Sequence, residues 1–309
     1  MKGRRFEIDS TWVMRPCPAC LADSSKLLFQ KEQVPFVECG RCAAVYVNPV
    51  PPTELLSSIY NELGTDYFTN PDKLAQDFRL DRFYRELAMV PPKVRGGQLL
   101  DVGCASGSFL VCAQQEGFIV SGIDISIPSV EYANKRIGMP VATAGDFLSQ
   151  PFDASSFDLV TMWATLEHVE EAEAFVGEAY RVLKAGGFLC LSVPNRNGLS
   201  MRGLGAKYHM VGLEHLNYFT PSGLRGLLKR RGFSSTCVQT RAFNPIGFWK
   251  DWRGRHLSGD FSSSNLIADS QQNIRLRERQ SVKIMQQMVD RIVKHFGVGD
   301  LLLVTAQKV

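Results

Sequence analysis

Leu99-Leu100-Asp101-Val102-Gly103-Cys104-Ala105-Ser106-Gly107-Ser108-Phe109 is the stretch on which the fold turns. Its apolar start reads as a strand, its run of small residues as a tight turn, and Ser106 onward as the opening of a helix. Such a turn lets a ligand approach the backbone, and the helix start presents N–H groups to it. Outward from here the chain alternates. Strands are predicted at Gln98 to Val102, Ile119 to Ile123, Val141 to Ala144, Phe157 to Trp163 and Phe188 to Val193, with helices at Ser106 to Gly117, Pro128 to Ile137 and Glu170 to Leu183. A helix at Pro221 to Arg231 and strands at Phe233 to Arg241 and Asp300 to Lys308 complete the pattern. This is an α/β chain: a doubly wound, mostly parallel seven-stranded sheet covered on both faces.

Ligands of open α/β sheets bind outside the carboxyl ends of the strands, so a nucleotide-like cofactor belongs at this turn. A dinucleotide fingerprint needs glycine at its first, third and sixth positions, which here hold Gly103, Ala105 and Ser108, and that argues against NAD. Asp124 closes the second strand, where a carboxylate accepts both hydroxyls of a ribose. The order acidic, any, Gly, any, small, any, Gly from Asp101 resembles motif I of class I S-adenosylmethionine methyltransferases, with Ala105 in place of the commoner glycine. Gly145-Asp146-Phe147, the strand Phe157 to Trp163 and Leu183-Lys184-Ala185-Gly186-Gly187-Phe188 resemble the later motifs of that family, over about Leu74 to Val309. The resemblance implies a Rossmann-like domain that binds S-adenosylmethionine. It also implies cofactor contacts from Asp101, Gly103, Ala105, Gly107, Asp124, Ile125, Asp146, Phe147 and Trp163, with Asp146 on the adenine amine and Phe147 against its ring.

Cys17-x2-Cys20 and Cys39-x2-Cys42 stand 18 residues apart, a spacing suited to a four-cysteine zinc ribbon. Four thiolates leave no open position, so zinc held by Cys17, Cys20, Cys39 and Cys42 would be structural. The remaining cysteines, Cys104, Cys112, Cys190 and Cys237, lie in apolar segments and read as small core residues.

Methyl transfer needs a base only where the acceptor carries a proton, and a His or carboxylate near the methyl then accepts it. Leu166-Glu167-His168-Val169 and Gly212-Leu213-Glu214-His215-Leu216-Asn217-Tyr218-Phe219 both follow strands at the carboxyl edge. The second resembles the Glu-His-Leu-x-Tyr-Phe segment of bacterial sugar C-methyltransferases, which also carry a four-cysteine zinc module, although Gly212 stands where those enzymes have a tyrosine. That resemblance implies His215 as general base and Glu214 as the residue that orients base or substrate. His168 reads as a helix-start residue.

The chain has 309 residues, 45% of them hydrophobic, enough for one sizeable core and a satellite. We expect a module over residues 1–52, ended by the stiff Asn48-Pro49-Val50-Pro51-Pro52, a helical lead-in over 53–92 with a helix from Leu74 to Met89, and the main domain over 93–309. An insertion at about 242–298 carries an amphipathic helix from about Asn265 to Phe296, with Ile284, Met288, Ile292, Val293 and Phe296 as its packing stripe. A cap over the site and a homodimer contact are its functional readings. A net charge of +4 is too weak and scattered for a dedicated nucleic-acid binder. No apolar run reaches the roughly 18 residues of a membrane span, so a cytoplasmic enzyme acting on a small molecule is expected. O- or N-methylation of another metabolite, and RNA methylation with the ribbon as docking surface, are the alternatives.

Overall fold

The computed structural model describes residues 8–58, 60–61, 81–254 and 280–309. The front of the chain forms an antiparallel meander, β1 (Ser25–Lys31), β2 (Val34–Cys39) and β3 (Val45–Val47). Glu32 and Gln33 both take positive φ in the β1–β2 hairpin, as a turn matching the strand twist requires. Its fourth strand, β9 (Asn217–Tyr218), comes from the other end of the chain and pairs with β3 through Val45↔Tyr218 and Tyr46↔Asn217. Front and main domain also share a core, in which Cys17, Cys39 and Tyr46 pack with Phe219, Leu224 and Leu227.

The large sheet contains β4 (Gln98–Val102), β5 (Ile119–Asp124), β6 (Ala142–Ala144), β7 (Phe157–Trp163), β8 (Leu183–Pro194), β10 (Phe233–Arg241) and β11 (Leu301–Lys308). Their order is β10-β11-β8-β7-β4-β5-β6. The five strands from β8 to β6 run parallel, and β11 is antiparallel to both of its neighbours. The chain winds from β4 outward to β6, then crosses back to β7, so the order reverses between β4 and β7 and opens a crevice at their carboxyl ends. Central strands covered on both faces need continuous apolar runs, and Leu159 to Trp163 and Gly187 to Pro194 are buried without a break. Edge strand β10 instead alternates half-buried with exposed positions from Ser234 to Gln239.

Helices fill both faces: α1 (Asp81–Leu87), α2 (Ser108–Gln115), α3 (Ile127–Ile137), α4 (Ala172–Val182), α5 (Leu199–Leu204), α6 (Pro221–Arg230), α7 (Pro245–Trp252) and α8 (Gln280–His295). Thr220 caps α6 by accepting from Gly223 N–H at 3.1 Å, and Pro221 opens it. Two sequence expectations shift. The glycine turn before the fifth parallel strand lies inside β8, where Leu183 already pairs with Phe157 and the register slips before Leu159 meets Phe188. The stripe on the insertion helix divides: Val293 is buried against β10, whereas Met288, Ile292 and Phe296 are more than half exposed. Residues 255–279 of the insertion and 62–80 of the lead-in lie outside the described residues, so the predicted helix starts at Asn265 and Leu74 are not among them.

Candidate functional site

The turn after β4 is shaped by its backbone. Gly103, Ala105 and Gly107 all take positive φ, of 77°, 44° and 71°. A Cβ on Gly103 would fall 2.5 Å from Thr165 Oγ1, and one on Gly107 would fall 2.9 Å from the Ala133 Cβ, so neither position admits a side chain. Ala105 adopts the left-handed region with a methyl group present, and its N–H donates to Asp124 Oδ2 at 2.9 Å. Ser126 N–H donates to the other oxygen, Oδ1, at 2.8 Å. Each Asp124 oxygen thus holds one backbone donor and retains a lone pair for a second. Burial raises the Asp124 pKa above the usual carboxylate range, and the two N–H donors oppose that shift.

A cavity of about 730 Å³ opens from this turn. Asp101, Gly103, Ala105, Asp124, Ile125, Asp146, Phe147 and Trp163 all line it, while Gly107 serves as N-cap of α2 behind the turn. Asp101 is fully buried, accepts from Thr161 Oγ1 at 2.6 Å, and is pushed up to about 8 by burial. Asp146 accepts from Leu148 N–H and Ser149 Oγ and fixes the loop after β6. Trp163 Nε1 and Ser126 Oγ, both at the wall, are buried with no hydrogen-bond partner among the described residues. Buried polar atoms left this way mark a place where a polar ligand is expected. The volume lies within the roughly 300–1,000 Å³ typical of small-ligand sites.

The two histidine-bearing loops meet at the same cavity. His168, read from sequence as a helix-start residue, lines the cavity, and His215 sits behind it with ring centroids 4.7 Å apart. Glu214 is exposed and contributes its backbone, since the His168 Nδ1 meets the Glu214 carbonyl oxygen at 2.5 Å. The His215 Nδ1 meets the Met210 carbonyl oxygen at 2.6 Å. Tyr60, from the lead-in, brings its hydroxyl 2.8 Å from His168 Nδ1. Glu167 lies beneath, with one carboxylate oxygen 4.0 Å from His168 Nε2 and the other unpartnered among the described residues. Burial pushes Glu167 up to about 8 and His168 down to about 3, the nearby His215 adding to the latter; burial also lowers His215. Both imidazoles are therefore neutral near pH 7.

Two residues that sequence reasoning missed hold these loops. Asn217 donates its side-chain amide to the Leu166 and Val169 carbonyls and its backbone N–H to the Glu167 carbonyl. The Arg15 guanidinium donates to the carbonyls of Val47, Glu170 and Leu216 and to Asn217 Oδ1, joining the front module to both histidine-bearing loops. Arg15→Met strands these acceptors, and because hydrogen bonds from charged groups contribute about 1.5–3 kcal/mol each, a loss of about 3 kcal/mol is expected. A urea denaturation midpoint unchanged in that variant would contradict the role given to Arg15.

The four front cysteines form a second cluster. Their sulfurs lie within 4.8 Å of one another, with Cys17–Cys42 at 3.6 Å and Cys20–Cys39 at 3.5 Å. A tetrahedral ion with bonds near 2.3 Å needs sulfurs about 3.8 Å apart. The two knuckles are alike in backbone: Leu21 and Ala43 both take positive φ, with N–H groups returning to the carbonyls of Cys17 and Cys39.

Comparison with known proteins agrees with this geometry. A family model described as a methyltransferase domain matches residues 75–238, just over half of the chain. A ubiquinone biosynthesis O-methyltransferase of Paramagnetospirillum magneticum is 30% identical over 181 residues, which span 55% of this chain and 72% of that protein. A demethylmenaquinone methyltransferase of Roseiflexus castenholzii is 32% identical over 164 residues, 47% of this chain and 65% of that one. Among solved structures, a SAM-dependent methyltransferase from Thermotoga maritima shares the fold, with a TM-score of 0.54 and 20% identity over 82% of this chain and all of that one. The sheet order, the glycine-bearing turn above β4 and the matched family model together carry the assignment: the chain belongs to the methyltransferase domain family and is an S-adenosylmethionine-dependent methyltransferase.

Proposed function

We propose that the enzyme methylates a hydroxyl of a small-molecule acceptor, which enters between the Asp124 turn and the His168 wall. The carrying observation is that one cavity is lined both by the Asp124 carboxylate and by His168, against which His215 stacks. Asp124 would hold the ribose hydroxyls of S-adenosylmethionine, Asp101 and the Gly103 to Gly107 turn its amino-acid end, and Asp146 and Phe147 the adenine. When bound, that cofactor supplies an electrophilic methyl on a sulfonium. The side chains around it do the rest. Phe147, Trp163 and Phe175 exclude water from the lining, and the neutral imidazoles at the far wall provide the place where the hydroxyl proton leaves.

His215 remains our candidate base in the form of a pair, with His168 nearer the acceptor and His215 stacked behind it. The His168→Ala and His215→Ala variants are expected to lower kcat by about 10²–10³, the usual range for lost acid–base help. Cofactor affinity should stay within a few-fold of wild type. Equal loss of cofactor binding would show that these rings serve the wrong end of the cavity.

A second reading, methylation of a nucleotide-linked sugar, is favoured by the Glu214-His215 segment and by the front module, which lies outside the matched family region. Labelled methyl transfer to hydroxylated aromatics, nucleotide sugars and RNA separates these readings. Uptake by RNA alone would overturn both. We also propose zinc at Cys17, Cys20, Cys39 and Cys42, in a module that stiffens the acceptor end.

A further inference from the structure

The paired histidines carry a feature that acid–base chemistry does not require. Each ring has its Nδ1 against a backbone carbonyl, Glu214 for His168 and Met210 for His215. A carbonyl oxygen accepts and cannot donate, so each ring carries its proton on Nδ1, where at His168 the Tyr60 hydroxyl oxygen accepts as well, and the Nε2 lone pairs are left bare. This carbonyl-to-imidazole arrangement is how proteins fix the tautomer and orientation of metal-binding histidines. The third participant is Glu167, only 1% exposed, with Oε2 unpartnered among the described residues and Oε1 4.0 Å from His168 Nε2. One ligand atom from each of the three residues lies within 4.8 Å of the other two.

From this geometry we infer that Glu167, His168 and His215 bind a first-row divalent cation, which uses the two Nε2 atoms and the Glu167 carboxylate and keeps positions open. Two imidazoles and one carboxylate suit manganese, iron, cobalt or zinc better than magnesium or calcium, whose sites are oxygen-rich. Bonds of roughly 2.0–2.2 Å to zinc would draw the three ligand atoms closer together than they stand now. The loops that must contract are those held by Asn217 and Arg15. His168 is the ligand on the cavity wall, so an acceptor oxygen reaching that wall can complete the coordination sphere. The inference rests on the proposed function for the acceptor and not for the ion. With a cation present, a hydroxyl oxygen bound to it would become more acidic, which eases the loss of its proton.

The test is a Mn2+ titration of the full chain carrying zinc at its cysteines, with free Mn2+ read by electron paramagnetic resonance. One Mn2+ per chain is expected in the wild type, and loss of that equivalent in Glu167→Gln and in His215→Gln. S-adenosylhomocysteine affinity, measured by calorimetry on the same samples, should stay within a few-fold and reports folding. A wild-type chain that binds no Mn2+ overturns the inference, as does undiminished binding in both variants. Undiminished methyl transfer to a hydroxyl without any cation bound would sink the cation's part in activating the acceptor. Cation binding in a chain that methylates no hydroxyl would sink the acceptor reading alone.

Discussion

Asp124→Ala is expected to lower S-adenosylmethionine affinity by roughly 10²–10³-fold, about 3–4 kcal/mol. Hydrogen bonds to a charged group contribute about 1.5–3 kcal/mol each, and two ribose hydroxyls would lose theirs together. The substitution also frees the N–H groups of Ala105 and Ser126, which Asp124 now holds at 2.9 and 2.8 Å, and so loosens the turn proposed to face the cofactor. Asp124→Asn keeps the shape and one acceptor oxygen and should fall between the two. Calorimetric titration reads both, and a wild-type-like constant for Asp124→Ala would place the ribose elsewhere.

Removing the zinc proposed for the four cysteines is expected to cost at least about 5 kcal/mol of stability, because structural zinc contributes roughly 10–16 kcal/mol of apparent binding energy to small modules. Without the ion, four sulfurs within 4.8 Å of one another lose the bonds that would tie the two knuckles together. The damage should spread past the module. Thr220 Oγ1, the cap of α6, donates to the Cys42 carbonyl, Arg230 donates to the Ala19 carbonyl, and β3 carries β9 two residues from His215. A strong chelator, or Cys39→Ser, should remove one zinc per chain and lower the melting temperature together with methyl transfer. A zinc-free chain with unaltered melting would contradict a metal in this cluster.

The sheet was legible because its signals are local. Runs that are apolar but for Thr161 and Ser192, at Leu159 to Met162 and Leu189 to Val193, the small residues of the Gly103 turn and the proline-led start of α6 each sit within a few residues of what they specify. That Asp101, Asp124 and Asp146 line one cavity was legible for the same reason, since each closes or follows a strand and the topology brings strand ends together. The acceptor end was not. His168 looked like a helix start because the carbonyl that orients it belongs to Glu214, 46 positions away in sequence. The Glu214 carboxylate points to no role inside, since that residue is exposed and works through its backbone. Arg15 gives no sequence signal at all, as its partners are mostly main-chain carbonyls more than 30 and up to about 200 residues distant. The insertion stripe misled because period alone does not say which neighbours exist, and only Val293 among its described members found one.

A crystal structure with S-adenosylhomocysteine bound tests the central claim most directly. The account predicts the ribose hydroxyls on the two Asp124 oxygens, the sulfur beside the Gly103 turn, and His168 across the cavity from it. Density for the ligand in any other cleft, or an adenosyl group lying against the His168 wall with Asp124 untouched, would contradict it.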